Sequence, residues 1–337
     1  MERQRVSQNR APQSGLVISG LGVISALGTS KDAFFDFLRQ TAADTSLTEE
    51  QNKEPGDLIT TLGIQEPRLK ISRYMDPVSK NAIVAFNQVL SDAGIESEWI
   101  LNDPYNYAIV FGTGRGPHTT RNMLYESFER KAGRMVSGTL FSHCGYNMAA
   151  AMTAIGYGIR GPNLTFSGTA DIGVCLLRRA ARLLRSHRVH TVFVGFSELK
   201  TSTQPEENGL LKELAYILCL EHEERAIQRR ANGLIEFEEI VWDETNGVLS
   251  VEPGGMYAIE RRPENGSDFL ERLKQAKKLD FHVTENLIEE GYLPLIKLGI
   301  LANAFNSHEP YSSFLLPTRT KNGISVMTLR REEMENG

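Results

Sequence analysis

The side chains best suited to covalent chemistry in this sequence are three thiols, Cys144, Cys175 and Cys219. A thiolate is both a nucleophile and a soft metal ligand. The three are widely spaced and set among apolar neighbours, which reads as reduced core thiols. They form no C-x-x-C pair and the seven histidines no H-x-x-x-H pair, so no zinc or other metal is expected. Gly112, Gly114 and Gly116 follow the apolar segment Tyr107 to Phe111 and resemble the opening of a dinucleotide fingerprint. The third glycine of that pattern would fall at residue 117, which is Pro117, and no acidic residue follows a second strand at the usual distance. No nucleotide or other cofactor is therefore expected. Ser167 is flanked two residues away on each side by Thr165 and Thr169, not by the glycines of a nucleophile elbow. Asp171 reads as a helix-start residue favoured by the helix dipole, with an acid catalyst as the alternative. No serine, histidine and aspartate constellation emerges.

The elements that must position any site are those of a packed α/β protein. A chain of 337 residues, 41% apolar and 23% charged, can bury a sizeable core and leaves no case for wholesale disorder. A net charge of -5 gives no general electrostatic grip on nucleic acid or anionic membrane, so neither is expected as a partner. Met1 to Ser14 is polar, no signal-peptide core follows it, and no stretch is long enough to span a bilayer. The expected location is the cytoplasm.

Leu16 to Ile24 is a nearly continuous apolar run of strand length, and Thr29 or Ser30 can cap the helix that follows. Ala42 to Leu69 is polar and reads as a long surface loop. Asp76-Pro77 opens a helix whose apolar positions favour one face and which stops near Gly94. Strands are expected at Tyr107 to Phe111, Leu164 to Ser167, Thr191 to Val194 and Leu214 to Leu220, and a buried helix at Asn147 to Ile155. A long amphipathic helix places Ile172, Cys175, Leu176, Ala180, Leu183 and Leu184 on one side. Further on, Leu234 to Trp242 alternates like a strand, Phe269 to Lys278 reads as a charged helix and Leu293 to Phe305 as an apolar one. Short strands at Ser313 to Leu316 and Ile324 to Leu329 close the chain.

Six local patterns combine into one resemblance. Val17-Ile-Ser-Gly-Leu-Gly-Val-Ile-Ser-Ala-Leu-Gly28, Ser72-Arg-Tyr-Met-Asp-Pro77, Gly112-Thr-Gly114, Asn147-Met-Ala-Ala150, Gly161-Pro-Asn-Leu-Thr165 and Gly195-Phe-Ser-Glu198 occur in the order seen in β-ketoacyl synthases. The resemblance covers residues 15 to 221 well and the remainder weakly. It implies an α/β thiolase-like fold of duplicated βαβαβ halves in five layers. Residues 1–14 and 333–337 would be tails, 15–221 the N-terminal half and 222–332 a contracted C-terminal half.

In that family the acyl chain rides on a cysteine at the N-terminus of a buried helix, where the dipole and backbone amides favour the thiolate and the oxyanion. Family members read Gly-Pro-x-x-Thr-Val-Ser-Thr-Ala-Cys-Ala-Ser-Gly; this chain reads Gly161-Pro-Asn-Leu-Thr-Phe-Ser-Gly-Thr-Ala-Asp-Ile-Gly173, with Ala170 at the nucleophile position. A methyl group forms no thioester, so the resemblance implies no catalytic residue of the usual kind. Cys175, five residues further on, reads as a core thiol, with a relocated nucleophile as the alternative. The family's His-Gly-Thr and Gly-His motifs are both absent. His282 lies too far before Gly291 to stand in for the second, an ungapped match would place Glu285 there, and His282 reads as exposed or locally bonded. Only nine residues separate Glu198 from Asn208-Gly209, where family members insert a helical segment. The family's glycine-rich gating loop corresponds to Leu315-Leu-Pro-Thr-Arg-Thr-Lys-Asn-Gly323, with most of its glycines missing.

Family members dimerise through the strand matching Leu164 to Ser167. The chain thus resembles a chain-length factor, the ketosynthase-like subunit that pairs with an active ketosynthase in type II polyketide, aryl-polyene or fatty-acid-like synthesis and helps shape the acyl tunnel. Leu140, Phe141, Met148 and Phe166 are candidates for interface or tunnel wall, with core packing as the alternative for each. Arg178, Arg179, Arg182 and Arg185 could dock an acidic acyl carrier protein or form a solvated helix face. Two other roles stay open: a malonyl-carrier decarboxylase or acyltransferase with a displaced nucleophile, and an inert homodimer in assembly or regulation.

Overall fold

Strict alternation of side chains between two faces builds the sheet at the centre of this molecule. The computed structural model describes residues 15–25, 28–34, 75–130, 137–168, 172–199, 213–229 and 231, with the strand segments 235–243, 248–251, 255–258, 282–283, 313–320 and 323–331. Five strands, β1 (Leu16–Ser25), β2 (Tyr107–Thr113), β3 (Asn163–Ser167), β4 (Thr191–Leu199) and β5 (Glu213–His222), lie in the order β3-β2-β4-β5-β1. β2 is parallel to both β3 and β4, and β5 is antiparallel to both β4 and β1. Ala108, Val110, Val192, Val194, Tyr216 and Leu218 face one core. Their neighbours Tyr107, Ile109, Phe111, Phe193, Ile217 and Cys219 face the other. That period of two is what a strand buried on both faces requires.

Helices cover each face. On the first lies α6 (Ile172–Arg185), and on the second α1 (Pro77–Ala93) and α5 (Met148–Tyr157), all within the two buried clusters. Phe86 of α1 meets Phe193 edge-on at 4.4 Å between ring centroids and Tyr157 at 4.6 Å. Burying each ring is worth about 1.5–3 kcal/mol. Gly20 and Gly22 let β1 come this close to α1. A Cβ at Gly20 would lie 2.7 Å from that of Ala93, and one at Gly22 would collide with the Ala85 carbonyl. The glycines of the first sequence pattern therefore set a strand-to-helix distance. A half-buried Arg229 closes the same seam, bonding to the Ala93 carbonyl, to Glu221 and, at 3.2 Å, to Ser19 Oγ.

The remaining helices are α2 (Ser97–Asn102), α3 (His118–Arg130), α4 (Gly138–Ser142) and α7 (Glu223–Gln228). β6 (Ile235–Asp243) joins β1 through Leu16↔Phe237 to Ile18↔Ile235 and continues the sheet to β11 (Gly323–Arg331), β10 (Ser313–Thr320) and β9 (His282–Val283). β7 (Val248–Val251) and β8 (Gly255–Ala258) extend from β6. Among the described residues no helix is long and apolar enough to cross a membrane.

The expected boundaries hold where capping chemistry is explicit. Asp76 caps α1 by accepting the Val78 N–H at 3.0 Å, and Gly94 closes the helix in the left-handed conformation at φ 65°. Ser30 accepts the Ala33 N–H at the start of a helical turn at 31–34. Two expectations are corrected. The segment 315–320, read as part of a gating loop, is instead most of the strand β10, in which Leu315 pairs with Thr328 and Thr320 with Gly323 of β11. Its apolar start, Phe314 to Leu316, is strand-like and accounts for this. Ile155, expected to be buried, is 55% exposed, because it points away from α1 beside the edge strand β3. The polar loop at 42–69 and the helices read at 269–278 and 293–305 lie outside the described residues.

Asp76 does more than cap α1. Its second oxygen accepts the Thr120 N–H at 2.9 Å, so one buried carboxylate serves the first turns of both α1 and α3. Asp76→Ala removes a cap and orphans a second buried amide, and is expected to cost about 2–4 kcal/mol in urea unfolding. Asp76→Asn keeps one acceptor and should lose about half as much.

Candidate functional site

Three parallel strands end together, and ligand sites in open α/β sheets lie at such carboxyl ends. The register places Thr113 of β2 beside Ser167 of β3, and Gly112 beside both Phe166 and Phe196. Just beyond, the Gly114 N–H donates to Glu198 Oε1 and the Gly116 N–H to Thr113 Oγ1 at 2.7 Å. Gly168 donates to the Thr113 carbonyl at 3.4 Å. Ser197 Oγ, buried behind them, donates to the Val78 carbonyl at 2.7 Å and ties β4 to α1. The Gly112-Thr-Gly114 and Gly195-Phe-Ser-Glu198 patterns thus meet at one edge, linked through Glu198.

Ala170 lies outside the described residues, as do Thr169 and Asp171. The described flanks are Gly168, just past β3, and Ile172, the first residue of α6. Among the described residues, the edge around them offers hydroxyls, amides and one carboxylate, which can bind and orient a carbonyl compound.

The three cysteines do not share one environment, which corrects the expectation of core thiols. Only Cys219 is buried; its thiol pKa is driven far up by burial, with Glu221 adding to the shift. Cys144 is half-buried and donates to the Leu140 carbonyl at 3.1 Å. Burial raises its pKa, the Arg121 guanidinium opposes that, and Asp76 reinforces it. Cys175 is exposed. At about 100° per residue, the buried positions Ile172, Gly173, Val174, Leu176, Leu177, Ala180, Ala181, Leu183 and Leu184 span an arc of about 200°. Cys175 falls opposite its middle. The sequence stripe was centred near Leu183 and left out Gly173, Val174, Leu177 and Ala181, which the structure buries on the far side of Ala180 and Leu184.

The same arithmetic puts Arg178, Arg179, Arg182 and Arg185 on the outer arc with Cys175. Arg179 and Arg182 are exposed, and Arg178 and Arg185 are half-buried. The four apolar candidates do not form one wall. Met148 packs against the α1-side core and Phe166 against the α6-side core, on opposite faces of the sheet. Leu140 is half-buried on α4, while its neighbour Phe141 is 69% exposed.

The sequence reading missed α3 altogether. This helix exposes Met123, Tyr125 and Phe128, of which Tyr125 and Phe128 share a face at i, i+3, and it packs near α4, where Phe141 is exposed. Its mean composition is polar. His118, its first residue, is buried, and its Nδ1 has no hydrogen-bond partner among the described residues. Arg121 stacks over the Tyr146 ring at 4.7 Å and donates to the Arg115 carbonyl. No group of three or more potential metal-binding side chains exists among the described residues.

Comparison with known proteins bears on this geometry. The sequence profile described as "Beta-ketoacyl synthase, N-terminal domain" matches residues 13–238. The chain is 25% identical over 198 residues to 3-oxoacyl-[acyl-carrier-protein] synthase I, chloroplastic, of Arabidopsis thaliana; the match covers 56% of this chain and 41% of that enzyme. The chain spans less than half the length of the curated relatives it matches. Among solved structures it is similar to the ishigamide ketosynthase/chain length factor, at a TM-score of 0.64 and 18% identity over 95% of this chain and 100% of that one. It is similar at 0.64 and 14% identity to a structure of a type II PKS acyl-carrier protein in complex with its ketosynthase, over 94% of this chain and 99% of that one. The fold is the thiolase-like α/β fold of ketosynthases, as expected from the sequence patterns.

The thiol environments predict a labelling order. A thiol reagent at neutral pH should modify Cys175 first, Cys144 more slowly and Cys219 only on unfolding, as followed by peptide mass mapping. Cys175→Ser should abolish the fast phase; a fast phase that survives would contradict the outward position of this residue.

Proposed function

Because the chain belongs to the β-ketoacyl synthase family, we propose that it is a non-catalytic subunit of the chain-length-factor type, pairing with an active ketosynthase and helping to shape the cavity that holds the acyl chain. The observation that carries this reading is Ala170 at the position where the family's cysteine stands, combined with the absence of both histidine motifs. Without a thiolate there is no acyl-enzyme, and without the histidines there is no decarboxylation of the extender. At the described strand ends, Gly114 is bonded to Glu198 and Gly116 to Thr113. A retained scaffold without its reacting atom fits a role in shape.

Two surface features support a pairing role. Among the described residues β3 is the outer strand of its side of the sheet, with no strand beyond it. Beside the site, Phe141 is 69% and Tyr125 65% exposed, with Met123, Phe128 and Tyr146 also projecting. An apolar surface of this kind marks an interaction face. The outer arc of α6, with Arg179 and Arg182 exposed, is a cationic face on which an acidic acyl carrier protein could dock.

A second reading is favoured by one observation, the exposure of Cys175 on the helix that follows the gap. In that reading the chain is an acyltransferase whose nucleophile is displaced. Intact-mass measurement after incubation with acyl and malonyl carrier donors separates the two. The first reading expects no covalent adduct; an adduct that Cys175→Ser abolishes would establish the second.

Co-expression with an active ketosynthase should yield a heterodimer on size-exclusion chromatography. Phe141→Ala should shift the product-length distribution of that heterodimer without lowering its total turnover more than about twofold. A stable pair of this chain with itself that ignores any ketosynthase would replace the proposal with an inert homodimer. Carbon–carbon bond formation by the isolated chain would overturn it.

A further inference from the structure

At the end of the sheet opposite the candidate site, three strands carry a row of polar side chains. Tyr107, which opens β2, pairs with Thr191, which opens β4, and Thr191 pairs with Glu221 near the end of β5. Residues paired directly across neighbouring strands point to one face. Tyr107 belongs to the cluster on the α1 side, so Thr191 and Glu221 point there too. All three are buried, Thr191 and Glu221 completely. A buried hydroxyl or carboxylate is costly unless each polar atom finds a partner.

Two arginines meet part of that demand. Arg225 of α7 donates to the Tyr107 hydroxyl at 2.9 Å. Arg229, four residues further on, gives one terminal nitrogen to the Ala93 carbonyl and the other to Glu221 Oε1 and Ser19 Oγ. Three atoms shielded from solvent then have no hydrogen-bond partner among the described residues: Arg229 Nε, Glu221 Oε2 and Thr191 Oγ1. The first two belong to one ion pair, and the third belongs to the residue paired across from Glu221.

The chemistry of these atoms selects what binds them. Arg229 Nε only donates, the carboxylate oxygen only accepts, and the hydroxyl does either. A metal cation cannot accept from the Nε–H, and an anion would face the Glu221 carboxylate. A small neutral group that both donates and accepts suits all three.

We propose that a single water molecule is bound in this corner, accepting from Arg229 Nε, donating to Glu221 Oε2 and bonding to Thr191 Oγ1. Three such bonds are the usual complement of a buried water. The water joins β4 and β5 to Arg229, the residue after α7, where the chain turns toward β6. A direct two-pronged pairing of Arg229 with Glu221 would satisfy two of the atoms and leave the Thr191 hydroxyl buried alone. One water satisfies all three. The proposal is independent of the reading given above.

A crystal structure of the full chain, at a resolution that shows ordered solvent, tests the assignment directly. A water oxygen should lie within about 2.5–3.2 Å of Arg229 Nε, Glu221 Oε2 and Thr191 Oγ1. Arg229 Nε bonded straight to Glu221 Oε2, or no solvent density between the three atoms, would overturn it. Magnetic relaxation dispersion of the solvent, which reports waters held inside a protein, gives a second readout in solution. Thr191→Ser keeps the hydroxyl and should keep the wild-type amplitude. Thr191→Val keeps the shape, removes the hydroxyl and should lower the amplitude by the share of a single water. An unchanged amplitude in Thr191→Val would also overturn the proposal, since the hydroxyl would then not be one of the three partners.

Discussion

The buried carboxylate of Asp76 is the constraint on which the site edge depends. It lies in the core at the mouth of the sheet and spends one oxygen on each of two helices, accepting from Val78 at 3.0 Å and Thr120 at 2.9 Å. Two helix N-termini bring partial positive charge to the same place, and one anion between them satisfies both. The direction of α1 fixes the β1 seam through Gly20 and Gly22, and that of α3 fixes where Tyr125 and Phe128 project. A single side chain thus relates the interior packing to the surface beside the site.

Among the described residues, the ends of β2 and β4 are aligned through backbone amides, Thr113, Ser197 and Glu198. The energy of the fold resides in the two apolar cores and the caps around them, and not in these strand ends. On such a scaffold fold and function are separable because different residues hold them.

Much of the fold was legible in local chemistry. The Asp76-Pro77 start and Gly94 stop of α1 follow from capping alone, and the apolar runs of β1, β2, β4 and β5 from their composition. The outward position of Cys175 was not legible, since apolar residues flank it on nearly every side of the helix and only contact with the sheet shows that Gly173, Val174, Leu177 and Ala181 extend the buried arc away from it. Nor was the placement of α3 beside α4, because it brings together residues about 20 positions apart on two short polar helices. The strand-end cluster was half legible: the motifs containing Gly114 and Glu198 were visible separately, but only the parallel β2–β4 register brings them into contact.

The outer edge of the sheet carries the remaining physical demand. β3 has five residues, and its burial alternates only weakly, with Asn163 and Ser167 exposed and the three between half-buried. The Thr165 hydroxyl within it is shielded yet has no hydrogen-bond partner among the described residues. An unpaired strand edge, an unsatisfied hydroxyl and the exposed rings of Tyr125, Phe128 and Phe141 are each tolerable alone and costly together. No lysine, proline or bulge within β3 guards the edge against association. A further strand added at this edge would satisfy the backbone of β3 and could reach its hydroxyl, which makes it the place on the described sheet where an added strand gains most.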